Sequence, residues 1–439
     1  MAATRWRQMR RQLAQPWLRA VLYVTLIPLF PEYVAPVLAV LSLAAAGREA
    51  KASRRPVTVG SAGKALLLYV AYLALTVPFA ALPLQSLESV LLWGMMLCPV
   101  LALTTLLTDR SRMETALYLL TLTAGLVGLV GCVQYFLRQI GLNTPLQLWE
   151  PLDRWVYGIL PFGVDIRVSG LRVSATFSNP NILGQYLVLV TPFAAHYACN
   201  VAKGQRRTVA RFSLLTVVGC AAFTFSRGTY LAMLVIAAIM IFTNMRSLFT
   251  VILTVLSAIL LVPDAVWNRL MTVGKLDVST LERLKVWQIT VDLIVRRPLI
   301  GFGCGVQYVW SVMLANGIRA PHAHNLVLQV LAEGGIIGLI LLLFLGFRVI
   351  QTAFALTSRK ECRRVGGALL AFFAGFAVST TVEYGFTFPK VMGAFVLAVA
   401  LIDGYANLLL ARAPSPLAEA ATLSGRLSLH RSAGNGSGS

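Results

Sequence analysis

The sequence predicts an all-α polytopic membrane protein with about 12 transmembrane helices and a long outer loop that contains an amphipathic helix. Hydrophobic residues make up 57% of the chain, charged residues only 13%, and the mean hydropathy is +0.75. A soluble domain carries roughly 45–50% apolar and about 25% charged residues. Apolar runs near the length of a spanning helix, about 20 residues, occur from one end of the chain to the other. We therefore expect a single transmembrane domain over residues 1–412.

The apolar runs determine the number of crossings. They lie at 17–46, 65–83, 89–107, 115–137, 181–199, 212–226, 229–243, 248–263, 325–347, 365–382 and 391–411. The first run is too long for one span, and FPEYVAP interrupts it. Basic residues such as Arg19 and Arg48 flank it on both sides, and Lys and Arg gather on the cytoplasmic side of membranes. We therefore predict a hairpin that turns near Pro31, which gives twelve crossings with both termini on the inner side.

The connections between the runs agree with this topology. Most of the 38 Lys and Arg residues fall in the inner connections and the termini. The net charge of +21 is therefore explained by the basic residues that membrane proteins carry on the cytoplasmic side. It does not indicate nucleic-acid binding, and we expect no nucleic-acid partner. Two outer connections are long, at about 138–180 and about 264–324. The tail 413–439 is expected to be cytoplasmic and disordered, and its last residues, GNGSGS, resemble an engineered linker.

The second long outer connection contains an amphipathic stretch, LERLKVWQITVDLIVRR. Its apolar residues recur at three- and four-residue spacing, which predicts a helix with one apolar face. The residues of that face are Leu281, Leu284, Trp287, Val291 and Ile294. A polar repeat on another face consists of Arg283, Thr290 and Arg297. We expect this helix on the outer membrane surface or over the bundle; alternatively, it only packs against the rest of the protein.

Arginines on the outer face are the first candidates for a binding site. Such a cluster suits a phosphate or pyrophosphate, because the guanidinium fork binds these oxygens bidentately; the alternative is snorkelling near lipid headgroups. Arg297 belongs to the stretch 296–324, which holds arginines and no carboxylate. Arg227 lies in a Ser-Arg-Gly turn between two short spans. A charge at membrane level is costly and indicates function, although Arg227 could also merely cap the turn.

Two of the four histidines, His322 and His324, precede the apolar run that starts at Asn325. A neutral imidazole near pH 7 can take a proton from a hydroxyl group, which makes these residues candidates for a general base. The alternative is a histidine that serves as a helix cap. A zinc site on His-Ala-His is only weakly indicated, because no outer cysteine or third histidine can complete the ligand set. No outer pair of carboxylates has convincing ligand spacing either, so we predict no metal and no cofactor.

Four segments of the sequence each contain a short motif. RVSATFSNPNILGQYL contains Arg172 and Asn-Pro-Asn, and FTFSRGTYLAML contains the Ser-Arg-Gly turn. RLKVWQITVDLIVRRPLIGFGCG contains Arg283 and Pro-Leu-x-Gly-x-Gly, and HNLVLQVLAEGGIIG contains His324, Asn325 and Gly-x-x-Gly. In this order they resemble the O-antigen ligase family, GT-C-like membrane glycosyltransferases of the O-antigen ligase/polymerase superfamily. One departure is Ala175, where glycine is expected in many relatives.

The resemblance implies a reaction and a site. The donor would be O-antigen polysaccharide on undecaprenyl pyrophosphate, and the acceptor a sugar hydroxyl of lipid A–core, among membrane lipids at the periplasmic face of the bacterial inner membrane. His324 would be the general base of a metal-independent, inverting transfer. The candidates for binding pyrophosphate or substrate are Arg172, Arg227, Arg283, Arg297, His322 and Asn325. Glu333 is expected to be structural.

Other interpretations stay open. An O-antigen polymerase or a protein O-oligosaccharyltransferase of the same superfamily would share the donor and differ in the acceptor. A 12-helix transporter would use acidic residues within the membrane, for which Glu333 and Asp403 are the candidates. A structural membrane scaffold would not need the histidine and arginine sets.

Overall fold

A computed structural model describes residues 15–54, 56–142, 172–243 and 278–410, and every regular element in these ranges is helical. The α-helices are α1 (Pro16–Leu26), α2 (Ala35–Ser53), α3 (Ser61–Thr76), α4 (Pro83–Leu106), α5 (Arg110–Gln139), α6 (Pro180–His196), α7 (Gly204–Phe223), α8 (Arg227–Thr243), α9 (Val278–Arg296), α10 (Gln307–Ala315), α11 (Leu326–Thr357), α12 (Arg363–Ser379) and α13 (Pro389–Tyr405). Short 3-10 turns at Ile27–Leu29, Glu32–Val34 and Val77–Phe79 join the first helices. Single π-helical turns, Tyr197–Val201 and Ala406–Leu410, extend α6 and α13.

Among the described residues, seven helical segments are long and apolar enough to cross a membrane. They are Glu32–Ser53, Ser61–Phe79, Pro83–Leu106, Arg110–Gln139, Pro180–Val201, Leu326–Thr357 and Pro389–Leu409. Pro16–Leu29 and Arg227–Thr243 are apolar but shorter. The prediction of an all-helical, multi-pass membrane protein is confirmed, while the count of twelve crossings stays a prediction. The run 248–263, the tail 413–439, and residues 143–171 and 264–277 of the long outer connections lie outside the described residues.

The first apolar run is a hairpin that turns where the sequence predicts. α1 continues into the 3-10 turn Ile27–Leu29, the backbone is extended at Phe30 and Pro31, and helix resumes at Glu32. Pro31 has no N–H with which to continue the helical ladder. Beyond this break, α1 and α2 pack against each other.

α6 and α13 form the centre of the bundle. In the most apolar stretch of each of these two spans, 89% of the residues are buried, as expected of helices that are apolar on every side. The side chain of Lys390, at the start of α13, donates a hydrogen bond to the carbonyl of Thr176, just before α6. Both central helices therefore begin at the same end of the bundle, where the candidate site lies.

The buried Asp403 has a structural partner. Its two carboxylate oxygens accept the backbone N–H groups of Ala62 and Gly63, at 3.0 and 2.8 Å. The first-turn N–H groups of a helix have no partner within the helix, and α3 has no side-chain cap of its own. Asp403 therefore caps α3 from α13, and this role accounts for one of the two acids on which a transporter would depend.

α9 packs on the bundle through a mixed face, in which Val286, Thr290 and Leu293 are buried. The predicted apolar face is divided. Trp287 and Ile294 pack against the protein, whereas Leu281, Leu284 and Val291 are 46, 45 and 45% exposed. The helix contacts α11, and apolar residues turned outward suit a helix that lies against a membrane surface. Its place on the outer membrane surface or over the bundle stays a prediction.

α11 is interrupted at Gly335, where φ is 62° and ψ is −165°. The loop that follows α9 satisfies the carbonyl groups freed by this break. Phe302 N–H donates to Ala332 O at 2.8 Å, and Gly303 N–H donates to Glu333 O at 2.9 Å. The glycine-rich loop and the broken helix, which are separate motifs in the sequence, therefore form one structural unit.

Gly335→Ala is expected to lower the free energy of unfolding by about 2 kcal/mol or more. A Cβ at residue 335 would lie 2.2 Å from the backbone carbonyl oxygen of Leu299, and a residue with a side chain in this essentially glycine-only backbone region costs about 1–3 kcal/mol by itself. Thermal unfolding in detergent measures the change. Gly94→Ala, in α4, is the matched control, since a Cβ there meets nothing within 4 Å. Equal melting temperatures for the two variants would contradict the prediction.

Candidate active site

The loop that carries the two histidines is fixed to the connection between α12 and α13. Asn325 caps α11, since its side-chain oxygen accepts Leu328 N–H at 3.0 Å, and its amide nitrogen donates to Thr381 O at 3.0 Å. Leu326 N–H donates to Thr380 O at 2.9 Å. Asn325 therefore caps α11 and also joins the histidine loop to the α12–α13 connection, which brings residues 380–388 against the histidines.

The peptide groups between the two histidines are held from two sides. Ala323 N–H donates to Oε1 of Gln329 at 2.8 Å, and Ala323 O accepts the indole N–H of Trp287 at 3.0 Å. Gln329 belongs to α11 and Trp287 to α9. The backbone position of His322 and His324 is thus set by two different helices.

A buried carboxylate, Glu383, lies between the two imidazole rings. Its Oε1 is 3.0 Å from Nδ1 of His324 and 3.6 Å from Nε2 of His322. The Tyr384 backbone N–H also donates to Glu383, at 3.1 Å. The side chains of His322 and Glu383 are 3% and 6% exposed, whereas that of His324 is 25% exposed. His324 is therefore the member of this group that a substrate can reach.

The hydrogen bonds assign a proton position to each ring. Nδ1 of His322 accepts the His324 backbone N–H at 3.2 Å, so a neutral His322 carries its proton on Nε2, facing Glu383. Nδ1 of His324 faces the same carboxylate at 3.0 Å. An ionised carboxylate can only accept hydrogen bonds, so the ring N–H that donates to Glu383 is at Nδ1. His324 therefore keeps a lone pair on Nε2, the nitrogen that can act as a base.

Burial and the local charges separate the roles of these groups. Burial, together with the charges of His324 and Arg283, lowers the pKa of His322 to about 3, against an opposing effect of Glu383. His322 is therefore neutral at physiological pH. Burial alone would raise the pKa of Glu383, but the charge and hydrogen bond of His324, with His322, hold this pKa below its usual range. Glu383 is accordingly an anion that orients His324.

Arg172 fixes the segment before α6 to the turn before α8. Its Nε donates to Thr224 O at 2.9 Å, and its Nη2 donates to the side-chain oxygen of Asn181 at 2.5 Å. The backbone oxygen of Arg172 accepts a hydrogen bond from Arg138. The two predicted site segments around Arg172 and Arg227 are thus joined directly.

Arg227 is the first residue of α8 and is half-buried. The next residue, Gly228, packs so closely on Val382 that a Cβ would come within 2.4 Å of its side chain. Val382 precedes Glu383. The Ser-Arg-Gly turn therefore lies against the same connection that carries the acid of the His324–Glu383 pair.

Two arginines of the α9 region differ in their contacts. Arg283 lies near enough to His322 for its charge to lower the pKa of that histidine. Arg297 donates to Phe79 O at 3.0 Å and places its guanidinium 5.0 Å from the ring centre of Phe302. Arg283 thus belongs to the histidine cluster, whereas Arg297 connects the end of α9 to the turn after α3.

Residues 212–343 match the family model of O-antigen ligase. Over this segment the chain is similar to the O-antigen ligase family. The comparison with curated proteins gives no match. The matched segment runs from α7 into α11 and carries Arg227, Arg283 and both histidines, whereas Arg172 and Glu383 lie outside it.

Backbone strain is concentrated at this site. Among the described residues, the non-glycine residues with left-handed φ are Arg54 at 52°, Ala175 at 50°, Phe225 at 51° and His324 at 49°. Arg54 ends α2, but the other three belong to the Arg172, Arg227 and histidine segments. Such conformations cost about 1–3 kcal/mol each and cluster at functional sites. The φ of Ala175 also explains why glycine is expected there in O-antigen ligases.

The sequence argument against zinc considered only a cysteine or a third histidine as the missing ligand, and it did not consider Glu383. His322, His324 and Glu383 each offer a ligand atom, and these atoms lie within 4.8 Å of one another. The hydrogen bonds nevertheless fit protons better than a cation. A metal on His322 Nε2 would move the ring proton to Nδ1, where the His324 N–H already donates, whereas a metal-bound histidine gives its other N–H to an acceptor.

Sequence reasoning missed Glu383. It is 59 residues from His324 and belongs to none of the four motifs. The available signal is its setting, TTVEYGFTFPK, a short connection between α12 and α13 in which it is the sole acid. A carboxylate in such apolar surroundings is costly and indicates a buried partner.

Proposed function

We propose that this chain is a glycosyltransferase that moves O-antigen polysaccharide from undecaprenyl pyrophosphate to a sugar hydroxyl of lipid A–core. We place the reaction at the periplasmic face of the bacterial inner membrane. The observation that carries the proposal is the His324–Glu383 pair, which leaves one basic ring nitrogen accessible at the end of the bundle where the arginine segments lie. The match of residues 212–343 to the O-antigen ligase family model supports the class of reaction.

In the proposed reaction the acceptor hydroxyl gives its proton to Nε2 of His324 while its oxygen attacks the anomeric carbon of the donor. The bond between that carbon and the pyrophosphate oxygen breaks, and the pyrophosphate leaves on its lipid with the electron pair. Attack opposite the leaving group inverts the anomeric centre. Glu383 stabilises the imidazolium that forms, so the positive charge is matched where it develops.

Arginine side chains are proposed to bind the pyrophosphate. Arg172, Arg227 and Arg283 are all half-buried and come from three different segments. Guanidinium groups bind phosphate oxygens bidentately and stabilise charge that grows on a leaving group. Arg172 and Arg297 both donate to protein groups, but Arg297 is exposed whereas Arg172 is half-buried. We therefore assign Arg297 the positioning of α9, and we assign Asn325 the positioning of the histidine loop.

The test is a transfer assay in detergent with purified protein, glycan on undecaprenyl pyrophosphate, and lipid A–core. We expect glycan on lipid A–core with inverted configuration. Glycan that grows on its own lipid carrier would instead identify a polymerase, and transfer to a protein acceptor an oligosaccharyltransferase. Folded protein that transfers to none of these acceptors would contradict the proposal and return the transporter interpretation.

EDTA is expected to leave the transfer rate unchanged, because His322 must lose its hydrogen bond from His324 N–H in order to bind a metal. The rate is measured with and without chelator, and after addition of Zn²⁺, Mg²⁺ or Mn²⁺. A rate that EDTA abolishes and one of these ions restores would show that a metal holds the three groups after all.

A further inference from the structure

Two branches of hydrogen bonds, each completed by neighbouring residues of the chain, link the His324–Glu383 pair to a carboxyl group buried in α11. Its first branch starts at Glu333, whose Oε1 accepts the side-chain amide of Gln329 at 2.8 Å. The oxygen of the Gln329 amide accepts Ala323 N–H at 2.8 Å. Ala323 directly precedes His324. This branch therefore ends on the backbone that carries the proposed base.

The second branch runs from the same carboxyl group to the acid of the pair. The Tyr384 hydroxyl donates to Glu333, 3.1 Å from Oε1 and 3.3 Å from Oε2. Tyr384 directly follows Glu383, and its backbone N–H donates to the Glu383 carboxylate. The two branches meet where His324 Nδ1 and Glu383 Oε1 lie 3.0 Å apart.

Packing does not account for a carboxyl group at this position. Glu333 is 2% exposed, and Gln329 and Tyr384 are 0% and 3% exposed. An ionisable group in a membrane span is costly, and an apolar residue of similar volume would pack at less cost. At the break, the backbone oxygen of Glu333 accepts Gly303 N–H. The carboxyl group itself accepts the backbone N–H of Gly305, so it holds the glycine-rich loop as well as Gln329 and Tyr384.

We propose that Glu333 is a positioning residue. Through Gln329 and Tyr384 it holds His324 and Glu383 at hydrogen-bonding distance from each other. This inference rests on the proposed function of the His324–Glu383 pair, and it replaces the expectation that Glu333 is merely structural. Glu333 itself does not touch substrate. Its effect is on how closely the acid and the base are held during proton transfer.

Glu333→Leu is expected to lower kcat by about 10–100-fold, the size of effect seen when groups that orient a reactive side chain are removed. The KM for the donor should change little, and the acid limb of the pH–rate profile should move to lower pH, since a loosened Glu383 stabilises the imidazolium less. Glu333→Gln should recover part of the activity. Tyr384→Phe should shift the profile in the same direction without removing a charge, so its shift reports geometry alone.

Asp403→Asn is the matched control, because Asp403 is also a fully buried acid in the membrane but caps α3. It should lower the melting temperature without moving the pH profile. If Glu333→Leu or Glu333→Gln behaves like Asp403→Asn, with lost stability and an unmoved profile, Glu333 is structural and the proposal fails. If Glu333→Leu does not fold, the Gln and Tyr384→Phe variants decide.

A second readout separates this proposal from the proposed function. Diethyl pyrocarbonate modifies neutral imidazole, and mass spectrometry measures the modification of His324 as a function of pH without any transfer assay. The pH midpoint should fall in Glu333→Leu and Tyr384→Phe relative to the wild type and Asp403→Asn. Unchanged midpoints would overturn the positioning role even if transfer is found, whereas shifted midpoints would uphold it even if the substrates are different.

Discussion

Replacing His324 by alanine is expected to lower kcat for glycan transfer by about 10²–10⁴-fold, which is the usual contribution of a positioned general base. The Nε2 atom is the proton acceptor in the proposed step, and the neutral, buried His322 cannot substitute for it, since its Nε2–H faces Glu383. Donor binding should persist, because the arginines are untouched. The measurement is kcat and KM in the detergent assay, with donor binding determined separately.

A second variant of His324 is needed because alanine could strain the backbone at this position. Its φ of 49° is left-handed, and asparagine tolerates this conformation better than alanine. His324→Asn should therefore keep the fold and lose as much activity as His324→Ala. His196→Ala is the control: this histidine is buried in α6, with its ring 6.2 Å from that of Tyr405, and its loss should reduce stability while specific activity is kept. A fully active His324→Asn would remove the proposed mechanism.

The second large effect is expected from Glu383→Gln. The amide can still accept the Nδ1–H of His324, but it brings no negative charge to stabilise the imidazolium. In serine proteases, amidation of the carboxylate that orients the histidine costs about 10⁴-fold, and this figure is an upper bound here. We expect kcat to fall and the acid limb of the pH–rate profile to move to lower pH, because the anion no longer favours protonation of His324.

Glu49→Gln is the control for this change of charge. Glu49 is paired with Arg112 at 3.1 Å, remote from the histidine loop in the α2–α5 contact, and its replacement should leave the pH profile in place. An unshifted acid limb in Glu383→Gln, or activity equal to that of the wild type, would show that the carboxylate does not act on the base.

The parts of the site that the sequence predicts are those with a local signal. His324 and Asn325 stand at the start of an apolar run, and the structure does begin α11 directly after Asn325. The hairpin at Pro31 follows equally from local composition and flanking charge. Glu383 has no such signal, because its importance comes from the packing of the α12–α13 connection on the histidine loop, which is a tertiary contact between distant residues.

α9 shows a different limit of sequence reasoning. The spacing of its residues predicts the helix and its two faces, but periodicity does not tell which face meets the protein and which meets the surroundings. In water the apolar face would turn inward. Here Trp287 packs inward whereas Leu281 is exposed and Thr290 is buried, and only the packing of α9 on α11 reveals this division of the apolar face.

The division of the site between two segments of the chain has a consequence for biogenesis. Both histidines precede α11, and Glu383 lies between α12 and α13. Synthesis delivers these segments in order, so a chain released before residue 380 would hold every arginine of the proposed site and both histidines, but neither Glu383 nor the central helix α13. The last segment to be made therefore supplies both the acid of the site and the centre of the bundle, and fragments left by interrupted synthesis would lack the two together.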